Sequence, residues 1–233
     1  MHRFYWWVGN LLFPQRCPWC GRVVGFSGPC KRCEDSLPRL TEAENDRLLQ
    51  EAGSRSIDGL AACCRYEGTA KRVMQRLKFA GMRSLAPLVG AEMAQCAKAR
   101  FPGVRFDVIV PVPASRKSLA RRGYNVPALL AKTVGAMLAI PVENDILVKE
   151  YETRYQHDLP REGRAANLLG AFRVARPERV AGRRVLLLDD IVTTGATLAE
   201  CAKMLELAGA QTVDTLCFAY TVKAAVPGSR PTL

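Results

Sequence analysis

The sequence predicts an α/β protein in which a central, mainly parallel sheet is flanked by helices and preceded by a small N-terminal zinc ribbon. Three observations carry that expectation. Val185-Leu186-Leu187-Leu188 runs into Asp189-Asp190, then into a hydroxyl- and glycine-containing loop, and then into a helical pattern through Leu198, Cys201 and Leu205. That succession is a buried parallel strand, a phosphate-sized loop and a helix N-terminus. Cys17, Cys20, Cys30 and Cys33 form two C-x-x-C pairs. Between residues 57 and 219, short apolar runs alternate with helix-length amphipathic stretches.

With 233 residues and 48% hydrophobic content, the chain has enough apolar material for one main domain with a small appendage. We divide it into residues 1–56 (N-terminal helix, ribbon and linker), 57–222 (main domain) and 223–233 (a flexible Pro/Gly-containing tail). No apolar run approaches the roughly 20 residues of a membrane span. A net charge of +12 and a pI near 9.5 favour anionic partners, either nucleic acid or phosphorylated small molecules. Nine cysteines, an odd number, argue against a secreted disulfide framework and for a reducing cytoplasm.

Residues 1–14 carry Phe4, Tyr5, Trp6, Trp7, Leu11, Leu12 and Phe13. They read as an amphipathic helix that docks on the protein or a partner, with contact at a membrane surface as the alternative. In the ribbon, glycines around a nine-residue spacer let the backbone curl so that four sulfurs surround one tetrahedral ion. Four thiolates leave no open coordination position, so such a zinc stabilises rather than catalyses; redox pairs or buried thiols are the alternative. Lys31 and Arg32 stand between ligands, either against a phosphate backbone or at a solvated knuckle tip.

Residues 37–56 read as a helical linker, and 57–66 as the first strand, with Cys63 and Cys64 in the core. Helices are expected over 69–79 and 83–99, where Lys78 at the end of the first serves that helix's negative terminus. A strand over 106–110 is broken by Pro111 and Pro113, so the chain leaves the sheet near its carboxyl edge. Arg116, Lys117, Arg121 and Arg122 follow, either neutralising a pyrophosphate or forming a solvated basic face. A helix over 126–138 and a short strand over 146–148 come next. Apolar periodicity then disappears between residues 150 and 170, the length of a lid, which would exclude water from a reactive ester; His157 lies within it. Phe172 and Val174 precede a further strand, and 211–219 gives the last one.

The loop Thr193-Thr194-Gly195-Ala196-Thr197 directs backbone N–H groups and a helix dipole at an anion, with hydroxyl donors beside them. Asp189 and Asp190 would repel that anion unless they reach sugar hydroxyls or a metal shared with a second phosphate. An ordinary strand–turn–helix with two solvated acids is the plainer reading. Neither a Walker loop nor a dinucleotide fingerprint fits, because no Gly-Lys-Ser/Thr follows and only Gly195 is present.

This stretch resembles the phosphoribosyl pyrophosphate (PRPP) signature of type I phosphoribosyltransferases. The resemblance implies that fold, with Asp189 and Asp190 as the catalytic carboxylates on the ribose 2′- and 3′-hydroxyls, Thr193 to Thr197 around the 5′-phosphate, and Mg²⁺ bound with PRPP. The full order of motifs is similar to the ComF family. It comprises the four cysteines, Leu77-Lys78-Phe79-x-Gly81, Pro111-Val-Pro113 with Ser115, Arg122-Gly123-Tyr124-Asn125, Thr153 with Gln156, Arg164 with Asn167, Ala171-Phe172, and the Asp189-Asp190 motif. By that resemblance Ser115, Arg116 and Lys117 fall in the pyrophosphate loop, and Thr153, Gln156, Arg164 and Asn167 in a catalytic hood. Val126 stands where the family usually has Gln, which removes a hydrogen bond expected from that position.

The family implies a role in natural transformation, handling single-stranded DNA alongside a helicase and a recombination mediator. Two other functions are compatible with the sequence. One is a nucleic-acid-binding and partner-docking module with a regulatory or vestigial PRPP pocket; the other is a salvage or amidophosphoribosyltransferase-like enzyme.

Overall fold

The computed structural model describes residues 15–25, 28–150 and 170–221. The expected helix over 1–14, the hood residues Thr153, Gln156, Arg164 and Asn167, His157 and the tail over 223–233 lie outside them.

The first elements are α1 (Lys31–Asp35) and α2 (Glu42–Ala52). α2 opens on a reciprocal capping box: Glu44 N–H donates to Thr41 Oγ1, and Thr41 N–H donates to Glu44 Oε2 at 2.9 Å. β1 (Gly59–Arg65), α3 (Gly68–Phe79), α4 (Ala86–Arg100) and β2 (Val108–Pro111) follow. After β2 come α5 (Arg116–Arg122), α6 (Val126–Leu138), β3 (Leu147–Lys149) and β4 (Phe172–Val174). The chain then runs through β5 (Arg184–Val192), α7 (Ala196–Leu207) and β6 (Thr212–Tyr220).

The main sheet has the order β1-β6-β5-β2, and every pairing in it is parallel. Both faces are covered, which explains why its strands read as nearly continuous apolar runs rather than alternating ones. On one face Val73, Met74, Leu77, Val89, Met93, Leu130 and Val134 of α3, α4 and α6 pack against Leu186, Leu188, Leu216 and Phe218. On the other, Leu48 of α2 and Leu198, Cys201 and Leu205 of α7 pack against Val185, Leu187, Val213 and Cys217. The antiparallel pair β3-β4 joins this second face through Leu147 and Phe172.

The cysteine segment shares the first of these cores. Cys17, Trp19, Cys30, Cys33 and Leu37 are buried in the same apolar cluster as α3 and α4. The following segment also shields β1, an edge strand: Leu40 N–H donates to Cys63 C=O, Arg65 N–H to Pro38 C=O, and Ala62 N–H to Asn45 Oδ1.

β5 differs from expectation in length. It continues through both acids to Val192, whereas its neighbour β2 stops at Pro111 opposite Leu188. The prolines Pro111 and Pro113 turn β2 away, so residues 189–192 project beyond it at the carboxyl edge while still pairing with β6.

Candidate functional site

Ligands of open parallel sheets lie beyond the carboxyl ends of the strands, and a cavity of about 670 Å³ occupies that position here. Asp189, Thr193, Gly195, Ala196 and Thr197 line it, joined by Tyr66, Lys71, Lys78 and Phe79 from the other side. Among the described residues, the amides of Thr193, Thr194, Gly195, Thr197 and Leu198 have no hydrogen-bond acceptor, and that of Ala196 reaches only Thr194 Oγ1 at 3.4 Å. These are the orphan donors of a helix N-terminus, at the positive end of α7.

Gly195 makes the turn into α7 possible. Its φ of 79° lies in the left-handed region, and a Cβ there would stand 3.0 Å from Cβ of Ala52 at the end of α2. The end of α2 therefore packs closely against the 193–197 loop.

The two acids have different surroundings. Asp190 is buried, and its Oδ1 accepts a hydrogen bond from Lys78 Nζ at 2.8 Å. Asp189 faces the cavity, and its Oδ1 accepts the Asp190 N–H at 2.8 Å. Burial, reinforced by the charge of Asp190, pushes the Asp189 carboxyl up to about 7, even though the Asp190 amide, Lys78 and Lys149 pull the other way.

Lys78 was expected to serve only its own helix terminus. The structure sends it instead across to Asp190 and into the cavity wall. The sequence signal was Lys78-Phe79 at the end of a basic helix; nothing local told which way the side chain would turn.

Ser115 N-caps α5, accepting the Ser118 N–H at 3.2 Å, and Arg116 and Lys117 form the first turn of that helix. These three residues share the carboxyl edge with β5 but do not line the cavity. From the same helix, the Arg121 guanidinium lies 5.3 Å from the centre of the Phe79 ring.

Arg122-Gly123-Tyr124-Asn125 works as a strap. Gly123 ends α5 in the left-handed conformation, Tyr124 Oη donates to Leu77 C=O at the end of α3, and Asn125 Nδ2 donates to Val112 C=O at 3.0 Å. The strap thus fixes both the helix end bearing Lys78 and Phe79 and the proline loop after β2. Val126 is fully buried in the core, so packing replaces the hydrogen bond expected of a Gln there.

The chain leaves the described region at Glu150 and returns at Gly170. Glu150 N–H donates to Ala171 C=O at 3.0 Å, and Gly170 N–H donates to Glu200 Oε1 of α7 at 3.0 Å. Gly170 is thereby anchored on α7 about one helical turn from the start of that helix, and Glu150 is tied to the returning strand through Ala171.

A second centre lies at the N-terminus. The sulfurs of Cys17, Cys20, Cys30 and Cys33 all lie within 4.8 Å of one another, and the Cys20–Cys30 separation is 3.9 Å. A tetrahedral zinc with Zn–S bonds of about 2.3 Å needs sulfurs roughly 3.8 Å apart, so these four cysteines can hold a metal ion such as zinc. Cys30 N–H donates to Cys17 Sγ at 3.2 Å. Burial pushes the Cys17 thiol up, but the amides of Cys30, Cys20 and Trp19 outweigh it and bring it to about 6, whereas burial and the neighbouring thiols push Cys33 well up.

Residues 119–229 match the phosphoribosyl transferase domain family. The chain is 30% identical over 212 residues to the DNA utilization protein YhgH of Escherichia coli O157:H7, covering 88% of this chain and 84% of that protein. It is 29% identical over 216 residues to competence protein F of Haemophilus influenzae, covering 88% and 91%. Among solved structures, glutamine PRPP amidotransferase from B. subtilis superposes with a TM-score of 0.38 at 25% identity, over 57% of this chain and 26% of that one. The chain thus spans about a quarter of that protein's length. The molecule is a type I phosphoribosyltransferase fold with an N-terminal cysteine cluster. It belongs to the ComF family.

Proposed function

We propose that this chain binds Mg²⁺–PRPP at the carboxyl edge of its sheet and acts in the cytoplasm on internalised single-stranded DNA. The observation that carries the first half is the cavity itself: unpartnered amides of the 193–198 loop and the Asp189 carboxylate open into one space beside Lys71 and Lys78. A volume of about 670 Å³ suits a sugar phosphate.

In this reading the loop amides and the hydroxyls of Thr193, Thr194 and Thr197 hold the 5′-phosphate, and Asp189 and Asp190 hold the ribose hydroxyls. Asp190 must then exchange its contact with Lys78 for a sugar hydroxyl, which frees the ammonium to face the ligand's phosphates. Ser115, Arg116 and Lys117 belong to the pyrophosphate loop, and the hood residues Thr153, Gln156, Arg164 and Asn167 shield the ribosyl carbon from water. Mg²⁺, when bound, neutralises the departing pyrophosphate. Cys17, Cys20, Cys30 and Cys33 hold a structural zinc.

Support for the DNA half comes from relatives named as DNA utilization and competence proteins and from the net charge of +12. A helicase and a recombination mediator are the partners this role calls for.

Calorimetry with Mg²⁺–PRPP on the native protein and on Asp189→Asn/Asp190→Asn tests the site. Equal binding by both removes the assignment. Pyrophosphate release in the presence of bases, amines and oligonucleotides separates an enzyme from a protein that binds PRPP as a signal.

A further inference from the structure

A second and larger cavity, about 930 Å³, lies between the cysteine cluster and α3. Arg22, Arg32, Arg72 and Arg76 line it together with Trp19 and Phe79. Among the described residues, none of the four arginines has a carboxylate partner. Arg72 donates to Thr69 Oγ1 at 2.8 Å, and Arg76 donates to the carbonyls of Pro18 and Trp19 at 2.5 and 3.1 Å, which fixes their stems against the wall. Cys20 and Cys33 stand in the same wall, and four thiolates around one zinc would carry a net charge of about −2, which leaves the four guanidiniums in excess; their planar forks match phosphate.

Two further observations point to a ligand. Trp19 is 1% exposed, yet its Nε1, a donor that normally finds an acceptor when buried, has none. Phe79 is 63% exposed at the rim and lines both this cavity and the pocket at the sheet edge. The ring stays that exposed even with the Arg121 guanidinium 5.3 Å from its centre, and an exposed aromatic ring beside arginines is a platform for an unstacked base.

We propose that this cavity is a groove for one strand of nucleic acid. Arg22, Arg32 and Arg72 contact its phosphates, a base stacks on Phe79, and the strand lies beside the bound pentose phosphate with that ring as the shared wall. The side-by-side placement rests on the reading of the sheet-edge pocket as a PRPP site; the groove itself does not.

Fluorescence anisotropy with a labelled oligo-dT tests the proposal. Arg22→Glu/Arg32→Glu/Arg72→Glu is expected to weaken binding at least tenfold and to make the slope of log affinity against log salt shallower by about 2, since each phosphate contact on a single strand contributes about 0.7. Phe79→Ala is expected to cost about tenfold with the salt slope unchanged. Saturating Mg²⁺–PRPP leaves oligo-dT affinity undiminished, because the two sites are separate. The control Lys98→Glu/Arg105→Glu/Lys203→Glu carries the same charge change away from the groove. Circular dichroism verifies that each variant is folded.

Affinity in the groove variant no lower than in the control overturns the proposal. So does equal binding of a duplex, displacement by inorganic polyphosphate of matching charge at equal concentration, or displacement by PRPP. Groove-dependent binding of oligo-dT by a protein that gives no calorimetric signal with PRPP leaves the groove standing and removes the pentose reading.

Discussion

Lys78 Nζ sits 2.8 Å from Asp190 Oδ1, joining the end of α3 to the carboxyl edge of β5 across 112 residues of sequence. Both side chains are largely buried, so each is the other's main compensation for lost solvation. Removing one partner of such a pair costs about 3–5 kcal/mol, whereas replacing both with apolar groups is close to neutral. Lys78→Met is therefore expected to lower stability by about 3 kcal/mol, and Lys78→Met/Asp190→Leu to recover most of it. Urea unfolding of the two single variants and the double variant measures this. A double variant as unstable as the sum of the singles would show that the contact is not what holds the two elements together.

The Asp189 carboxyl, raised to about 7 from an ordinary 3.8, gives a pH signature. The folded protein holds this proton more tightly than the unfolded chain does. The resulting stabilisation is complete below pH about 4 and is lost as the pH rises toward about 7. Asp189→Asn removes the titration while other groups cancel in the comparison. The stability difference, wild type minus variant, should fall steadily across that window and level off above it. A flat difference between pH 4 and 7 would mean that Asp189 is already ionised in the empty protein.

At the cysteine centre, purified protein is expected to carry one zinc per chain, and Cys17→Ser to carry much less. Because Cys17, Trp19 and Cys33 are continuous with the core over α3 and α4, stripping the metal with a strong chelator should lower the melting temperature and, in a Trp6→Phe/Trp7→Phe background, shift the indole emission of Trp19 to longer wavelength. A chelated protein that melts unchanged would make the four thiols a packing feature alone.

Gly195 meets two separate demands, its φ of 79° and its 3.0 Å clearance from Ala52. Gly195→Ala should cost about 1–2 kcal/mol and weaken PRPP binding roughly tenfold. Adding Ala52→Gly removes the Cβ contact but leaves the Cα of residue 52 at 3.2 Å and the dihedral as it was, so it should restore only part of the loss. Full rescue by Ala52→Gly would assign the whole effect to packing.

Much of this was legible because local chemistry determined it. The cysteine spacing, the strand–acid–loop–helix order and the Thr41/Glu44 box each prescribe geometry within a few residues. What was not legible depends on contacts distant in the chain. Lys78 read as a helix-terminal cation because its partner is supplied by another element. The extension of β5 through its acids was hidden because the strand's end is set by where β6 still pairs with it, not by its own residues. Arg122 to Asn125 carried meaning only as a family motif until Tyr124 and Asn125 were seen to join α3 to the loop after β2. Thr153, Gln156, Arg164 and Asn167 lie outside the described residues, and their role stands as a proposal.

Beside the hydroxyls of Thr193, Thr194 and Thr197, the donors of the sheet-edge pocket between Thr193 and Leu198 are peptide groups. Swapping one residue for another leaves an amide in place at every position except proline. Alanine scanning across this loop will consequently under-report its contribution, and tolerance to such changes is no sign of idleness. Backbone chemistry, such as amide-to-ester replacement by semisynthesis, is the means of weighing it.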